Sequence, residues 1–141
     1  MLIETGSVKD HFNILQLIEV NKQSFPFYKQ DMFSKQLFVY LEQGLSLCAY
    51  DNDILIGFLG FHKGRKQLDL ICVREGYRRN HVATSLLKKM LQQFSIGDTI
   101  HVQVSTKDKA MIALLLSMRF QEQKKILLQH HSGSAYIYNV I

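Results

Sequence analysis

The chain has 141 residues, 47% of them hydrophobic, and a formal net charge of +5 at pH 7. That length and apolar content suit one domain, 1–141, with a substantial core, and argue against a disordered chain. No apolar run approaches the ~20 residues needed to span a bilayer, and MLIETGSVKD has no basic segment followed by an apolar core, so no membrane partner is expected and the cytoplasm is the expected location.

Leu2 to Glu4 predicts a short first strand. Ser7-Val8-Lys9-Asp10 has the serine-to-acid spacing of a capping box, and Phe12, Leu15 and Ile18 supply the apolar stripe of a helix ending near Asn21. Phe25-Pro26-Phe27-Tyr28 is an aromatic break. A second helix is predicted from about Asp31 to Gln43, with Met32, Phe33, Leu37, Phe38 and Leu41 inward and Gly44 as its stop. Leu45 to Tyr50 and Ile54 to His62 are apolar runs joined by a hairpin at Asp51-Asn52-Asp53. Gly64 marks the next turn, and Gln67 to Val73 returns as a third antiparallel strand.

The stretch Leu68 to Phe94, LDLICVREGYRRNHVATSLLKKMLQQF, carries the cleanest pattern in the chain. An apolar run passes through a short basic segment into a helix whose Val82, Ala83, Leu86, Leu87, Met90, Leu91 and Phe94 recur at three-and-four spacing. A helix that starts straight after a tight loop presents unpaired N–H groups and the positive end of its dipole, which suits an anion. Arg78 and Arg79 stand just before it, and guanidinium groups match phosphate geometry. Solvated arginines on an ordinary turn would read the same. Because Arg74, Arg78 and Arg79 cluster while the other basic residues are dispersed, one local anion site is expected and a nucleic-acid partner is not.

Beyond the Gly97-Asp98 break, Thr99 to Ser105 alternates, with Ile100, Val102 and Val104 on one face and His101 and Gln103 on the other. Ser105 to Asp108 offers another capping-box start, and Ala110 to Leu116, apolar on every side, predicts a largely buried helix. Lys125 to His130 and Ala135 to Ile141 are the last strand candidates, joined by His131-Ser132-Gly133-Ser134. The terminal YIYNVI could pair across a homodimer or be covered within one chain. Cys48 and Cys72 lie in apolar runs outside any metal-ligand spacing and are expected as buried thiols. The histidine pair at 130 and 131 reads as a solvated hairpin, and no metal is expected.

Arg78-Arg79-Asn80-His81-Val82-Ala83, preceded by Val73 and followed by Thr84-Ser85-Leu86-Leu87, resembles the acetyl-CoA loop of the GNAT N-acetyltransferase superfamily. The family's first loop glycine is replaced by His81, and Ala83 is the permitted alternative at the second. The order β-α-α-β-β-β-α-β-α-β-β is also that of the family. The resemblance implies an α+β, three-layer fold: a mixed, mostly antiparallel sheet of six or seven strands with helices on both faces. It implies acetyl-CoA as cosubstrate and an amine acceptor. Ile71, Cys72 and Val73 match the strand whose backbone addresses the cofactor, and Arg79, Asn80, His81, Val82, Ala83 and Thr84, with Arg78 before them, match the loop around its pyrophosphate.

Relatives resembling the ribosomal-protein alanine acetyltransferase carry a glutamate base, an asparagine and a tyrosine acid, where this chain has Gln103, Asp108 and Leu115, or Leu114 with a one-residue shift. Neither Gln103 nor Leu115 can exchange a proton at neutral pH. Asp69 is the surviving candidate for the catalytic base, at a position where many family members bear a carboxylate. An acid within an apolar strand faces either a wet cleft or a partner, here Arg65 or Lys66. His62 and His101 are weaker candidates, each equally readable as a surface residue. Phe27, Tyr28 and Asp31 are guesses at the acceptor lining. The competing expectation is a non-catalytic module that binds CoA or a partner.

Overall fold

The alternating runs build a single sheet. In the computed structural model, which describes residues 1–21, 30–78, 81–128 and 131–141, and of 30–32 the backbone alone, the strands are β1 (Leu2–Thr5), β2 (Ser46–Asp51), β3 (Ile54–His62), β4 (Gln67–Val73), β5 (Thr99–Ser105), β6 (Gln121–Leu128) and β7 (His131–Asn139). They lie in the order β1-β2-β3-β4-β5-β7-β6. Every pairing is antiparallel except β4 with β5, which is parallel. The mixed, mostly antiparallel sheet of six or seven strands that the resemblance implies is thus present, with seven.

Helices cover both faces. On one, α1 (His11–Val20) and α2 (Gln30–Gln43) bury Ile14, Leu17, Ile18, Leu37 and Leu41 against Cys48, Phe58 and Cys72. On the other, Val82, Leu86, Leu87 and Met90 of α3 (Val82–Leu91) and Leu115 of α4 (Lys109–Ser117) join Ala49, Ile56, Phe61, Leu68, Val102 and Val104. Gly57 sets how closely α3 can approach, since a Cβ there would lie 2.8 Å from Val82 Cγ1 and 3.1 Å from Leu86 Cδ1. No helix among the described residues is long and apolar enough to cross a membrane.

The turns follow their residues. Asn52 and Asp53 both take positive φ, as a two-residue hairpin turn requires. Gly44, at φ +69, ends α2, with the Leu45 N–H closing onto the Tyr40 carbonyl at 2.9 Å.

Several expectations are corrected. Phe12 is 66% exposed, because the inward stripe of α1 runs through Ile14, Leu17 and Ile18. Phe38 is also largely outside the core and stacks on His11 at 3.9 Å between ring centres. α4 is not largely buried. Only Leu115 of its residues is buried, because the helix lies on the sheet by one side and leaves Leu116 exposed. Its cap is Asp108, whose Oδ1 accepts the Met111 N–H at 3.1 Å, rather than Ser105. Ser132, Gly133 and Ser134 lie inside β7 instead of forming a turn. Gly133 is needed there for close approach, since a Cβ would lie 2.6 Å from Leu128 Cδ1 and 3.0 Å from the Val104 oxygen. β7 is bonded to β5 on one side as far as Asn139 and to β6 on the other as far as Ile137, so the start of YIYNVI is covered within the chain. The segment around Phe25, Pro26, Phe27 and Tyr28, the side chains of Asp31 and Met32, and His130 lie outside the described residues.

Candidate active site

β4 and β5 pair at Gln67 with His101 and at Leu68 with Val102, and then part. The cause is local to β4. Against β3, Leu68 pairs with Phe61 and Leu70 with Gly60, which leaves Asp69 as an extra residue, a bulge. Bulges bend a strand and increase its twist, and this one swings the rest of β4 away from its parallel neighbour. It also resets which side chains face which helices. Leu68, Ile71 and Val73 pack on the α3 side, whereas Leu70 and Cys72 pack on the α1–α2 side.

Where β4 has separated, a cavity of about 440 Å³ opens, lined by Ile71, Cys72, Val73, Tyr77, Arg78, the first residues of α3, and Asn21, Asp108, Met111 and Leu114. Of the residues singled out for cofactor contact, Ile71, Cys72, Val73, Arg78, His81, Val82, Ala83 and Thr84 all border it. Arg79 and Asn80 lie outside the described residues. His81 adopts the left-handed conformation, φ 59 and ψ 23, at the N-cap of α3. That is the conformation a glycine would take without cost, so the loop keeps the shape of a glycine turn with a histidine in it. The N–H groups of Val82, Ala83 and Thr84, the first turn of α3, have no carbonyl one turn earlier to bond, as at any helix start.

Arg78 spans the cavity mouth. Its Nη2 donates to Asn21 Oδ1 at the end of α1, and its Nε to the Val73 carbonyl at 3.4 Å. Arg74 is turned elsewhere, with Nε on the Leu55 carbonyl at 2.9 Å, so of the two described arginines of the cluster one is structural and one faces the cavity. Burial raises the Asp108 carboxyl, opposed by the Met111 N–H and by Arg78. Burial also pushes the Cys72 thiol up to about 12. A thiol that stays protonated is a poor nucleophile, which argues against an acyl-cysteine route. Cys48 is raised to about 12 for the same reason; both cysteines are free and buried, as expected.

Asp69 faces the other way. Its Oδ2 accepts a hydrogen bond from the Tyr40 hydroxyl of α2, and burial raises its carboxyl above the ordinary aspartate range. The alternative of an ion pair with Lys66 is corrected, because Lys66 Nζ pairs with Asp98 at 3.1 Å. Nor is Arg65 the bonded partner; it acts on Asp69 through its charge. His62 Nδ1 accepts the Arg65 N–H at 3.0 Å, and His101 is exposed on β5. Gln103 is exposed on the same side of the sheet as Asp69, since Val102 and Val104 face the α3–α4 core. Leu115 is fully buried and points away from the cavity, which Leu114 lines instead. Tyr40 was not singled out from the sequence, although its place between Leu37 and Leu41 on the inward side of α2 was a usable signal.

No curated protein matches the chain by sequence. Among solved structures, a GNAT-family acetyltransferase from Bacillus cereus superposes with a TM-score of 0.81 at 17% identity, covering 99% of this chain and 97% of that one. Ard1 from Thermoplasma volcanium gives 0.82 at 16% identity, with the same coverages of 99% and 97%. A putative acetyltransferase from Salmonella typhimurium, solved with its cofactor acetyl-CoA, gives 0.76 at 12% identity, covering 99% and 94%. At such identities the likeness is one of fold. The family itself follows from sequence: the model of the acetyltransferase (GNAT) domain matches residues 16–112, more than half of the chain, and the protein belongs to the GNAT acetyltransferase family.

Proposed function

We propose that the protein is an acetyl-CoA-dependent N-acetyltransferase that modifies a primary amine of a small molecule or protein. The observation that carries the reading is the cavity at the parted end of β4, walled on one side by the loop and first turn of α3 that resemble the family's cofactor loop. The residues present fit the cofactor. First-turn N–H groups of Val82, Ala83 and Thr84 and the Arg78 guanidinium suit a pyrophosphate, and apolar Ile71, Val73, Met111 and Leu114 suit an uncharged chain. Arg79 and Asn80 complete the loop in sequence. When bound, acetyl-CoA supplies an acetyl group activated as a thioester.

What remains for the chain is the proton. An alkyl amine is mostly protonated at neutral pH and must lose a proton before it can attack. Asp69 stands where β4 and β5 part, and its raised pKa brings it nearer to the range of an effective base than a solvated aspartate. On the leaving side α4 presents Leu114 to the cavity, which has no proton to give, so that proton comes from water or another group.

Incubating the protein with acetyl-CoA and a panel of amines, and following free thiol, tests the reading; no thiol above the background with any amine would refute catalysis. The second reading, a module that binds CoA without turnover, is favoured by the absence of a tyrosine at Leu114 or Leu115 and of a glutamate at Gln103. It predicts calorimetric binding of CoA with no thiol release.

A further inference from the structure

The carboxylate of Asp69 has a specific holder. Tyr40 sits on α2 between Leu37 and Leu41, both buried, which turns this part of the helix toward the sheet. The β4 bulge places Asp69 on that same face, and the Tyr40 hydroxyl donates to its Oδ2. The other groups acting on the carboxyl are His62 at the end of β3, Arg65 in the following turn and Gln67 at the start of β4, and each favours the charged form while burial opposes it. Of those that favour charge, Tyr40 contributes most. A phenol differs from a cation in one useful respect. It stabilises the carboxylate through one hydrogen bond without cancelling its charge, whereas a bonded Arg or Lys would lower the carboxyl by 1–3 units, as a rough range, and leave a weaker base.

We propose that Tyr40 is a positioning residue for acyl transfer, whose hydroxyl fixes Asp69 at the parting of β4 and β5 and keeps it ionised without neutralising it. The inference rests on reading Asp69 as the base. In that step one N–H bond of the acceptor ammonium breaks, the proton passes to the carboxylate to give the acid, and it returns to solvent after turnover. Tyr40 keeps its own proton throughout, because burial and the neighbouring carboxylate both raise its hydroxyl.

The test is a carboxyl-carbon NMR titration of Asp69 in the intact protein, with its signal assigned by its loss in Asp69→Asn, beside pH–rate profiles with the most active amine of the panel. Tyr40→Phe should raise the Asp69 titration by about one unit, and the acid limb of the rate profile should follow it, with acetyl-CoA affinity unchanged. Replacing Tyr40 with 3,5-difluorotyrosine keeps the shape and strengthens the donor, and should move both in the opposite direction. A titration that stays in place in both forms would overturn the role of Tyr40. A titration that moves while the acid limb does not would instead overturn Asp69 as the base, and the role of Tyr40 with it.

Discussion

On one flank of β4, Ile71 and Val73 look into an apolar cavity edged by Arg78 and Asp108. On the other flank, at the bulge just before them, Asp69 lies partly buried against a phenol. A regular strand alternates its side chains strictly, and without the bulge Asp69 would point toward the same helices as Ile71 and Val73. The extra residue at 69 therefore does two things at once: it opens the gap between β4 and β5 and sends the carboxylate to the opposite face. The comparison teaches that one strand can border a cavity on one face and bury a hydrogen-bonded carboxylate on the other because a single irregularity separates them.

The sharpest way to break the comparison is Asp69→Asn. If the α2 side handles only the proton, turnover should fall on the order of 10²- to 10⁴-fold with acetyl-CoA affinity nearly unchanged, as read from steady-state rates beside calorimetry. Stability should move the other way. Because burial raises this carboxyl, the folded state holds the proton more tightly than the unfolded chain, so ionised Asp69 costs stability at neutral pH. That cost fades as pH falls through the folded pKa and is gone below the ordinary value of 3.8. Asp69→Asn should therefore melt at or above the wild-type temperature at pH 7, with the two converging in acid. A lower melting temperature at pH 7 would make Asp69 a structural residue.

The cavity side has a complementary probe. Arg78→Glu removes a guanidinium from the mouth, and the loss of one charge-assisted bond, roughly 1.5–3 kcal/mol, should weaken CoA binding about 10- to 100-fold while the rate at saturation stays close to wild type. Unchanged binding would remove Arg78 from the cofactor site. Smaller still is the contrast between neighbours on α4. Leu114 borders the cavity and Leu115 is sealed in the core. Leu114→Tyr should fold, and should speed turnover about tenfold if the site lacks an acid in its chemical step. Leu115→Tyr should instead destabilise the protein by about 1–3 kcal/mol through overpacking. Thermal melts alongside thiol-release rates distinguish the two.

The smallest effect belongs to His81. Its left-handed backbone costs roughly 1–2 kcal/mol, but glycine loses roughly 0.5–1 kcal/mol more in entropy on folding. His81→Gly should therefore change stability by about 1.5 kcal/mol or less. A shift in melting temperature larger than that allows would mean that the imidazole itself makes a contact that matters.

Much of this molecule was legible in its residues. Apolar runs bounded by turn residues predicted β3 and β4 with their observed bounds, because both are local properties of the chain. The family resemblance carried by the basic loop and the helix after it named Ile71, Cys72, Val73, Arg78 and His81 to Thr84, which border the cavity, because a strand–loop–helix unit is set by neighbours in sequence. Apolar content alone misjudged α4, since burial depends on which side of a helix meets the sheet. Gly133 misled for a related reason: a glycine needed for close packing between strands looks, in sequence, like a glycine needed for a turn.

What tertiary structure alone decided is the division of labour along β4. The sequence could mark Asp69 as an acid among apolar residues, but a bulge is a mismatch between two strands, and neither strand records it by itself. Tyr40 and Asp69 are 29 residues apart, so their meeting depends on how α2 lies on the sheet, and the gap between β4 and β5 depends on a parallel pairing across a whole helix and two loops. Local chain preferences determined the elements, the strand–loop–helix beside the cavity and the family. The register and packing between distant segments, which no local preference encodes, determined which way the Asp69 carboxylate faces and that Tyr40 is bonded to it.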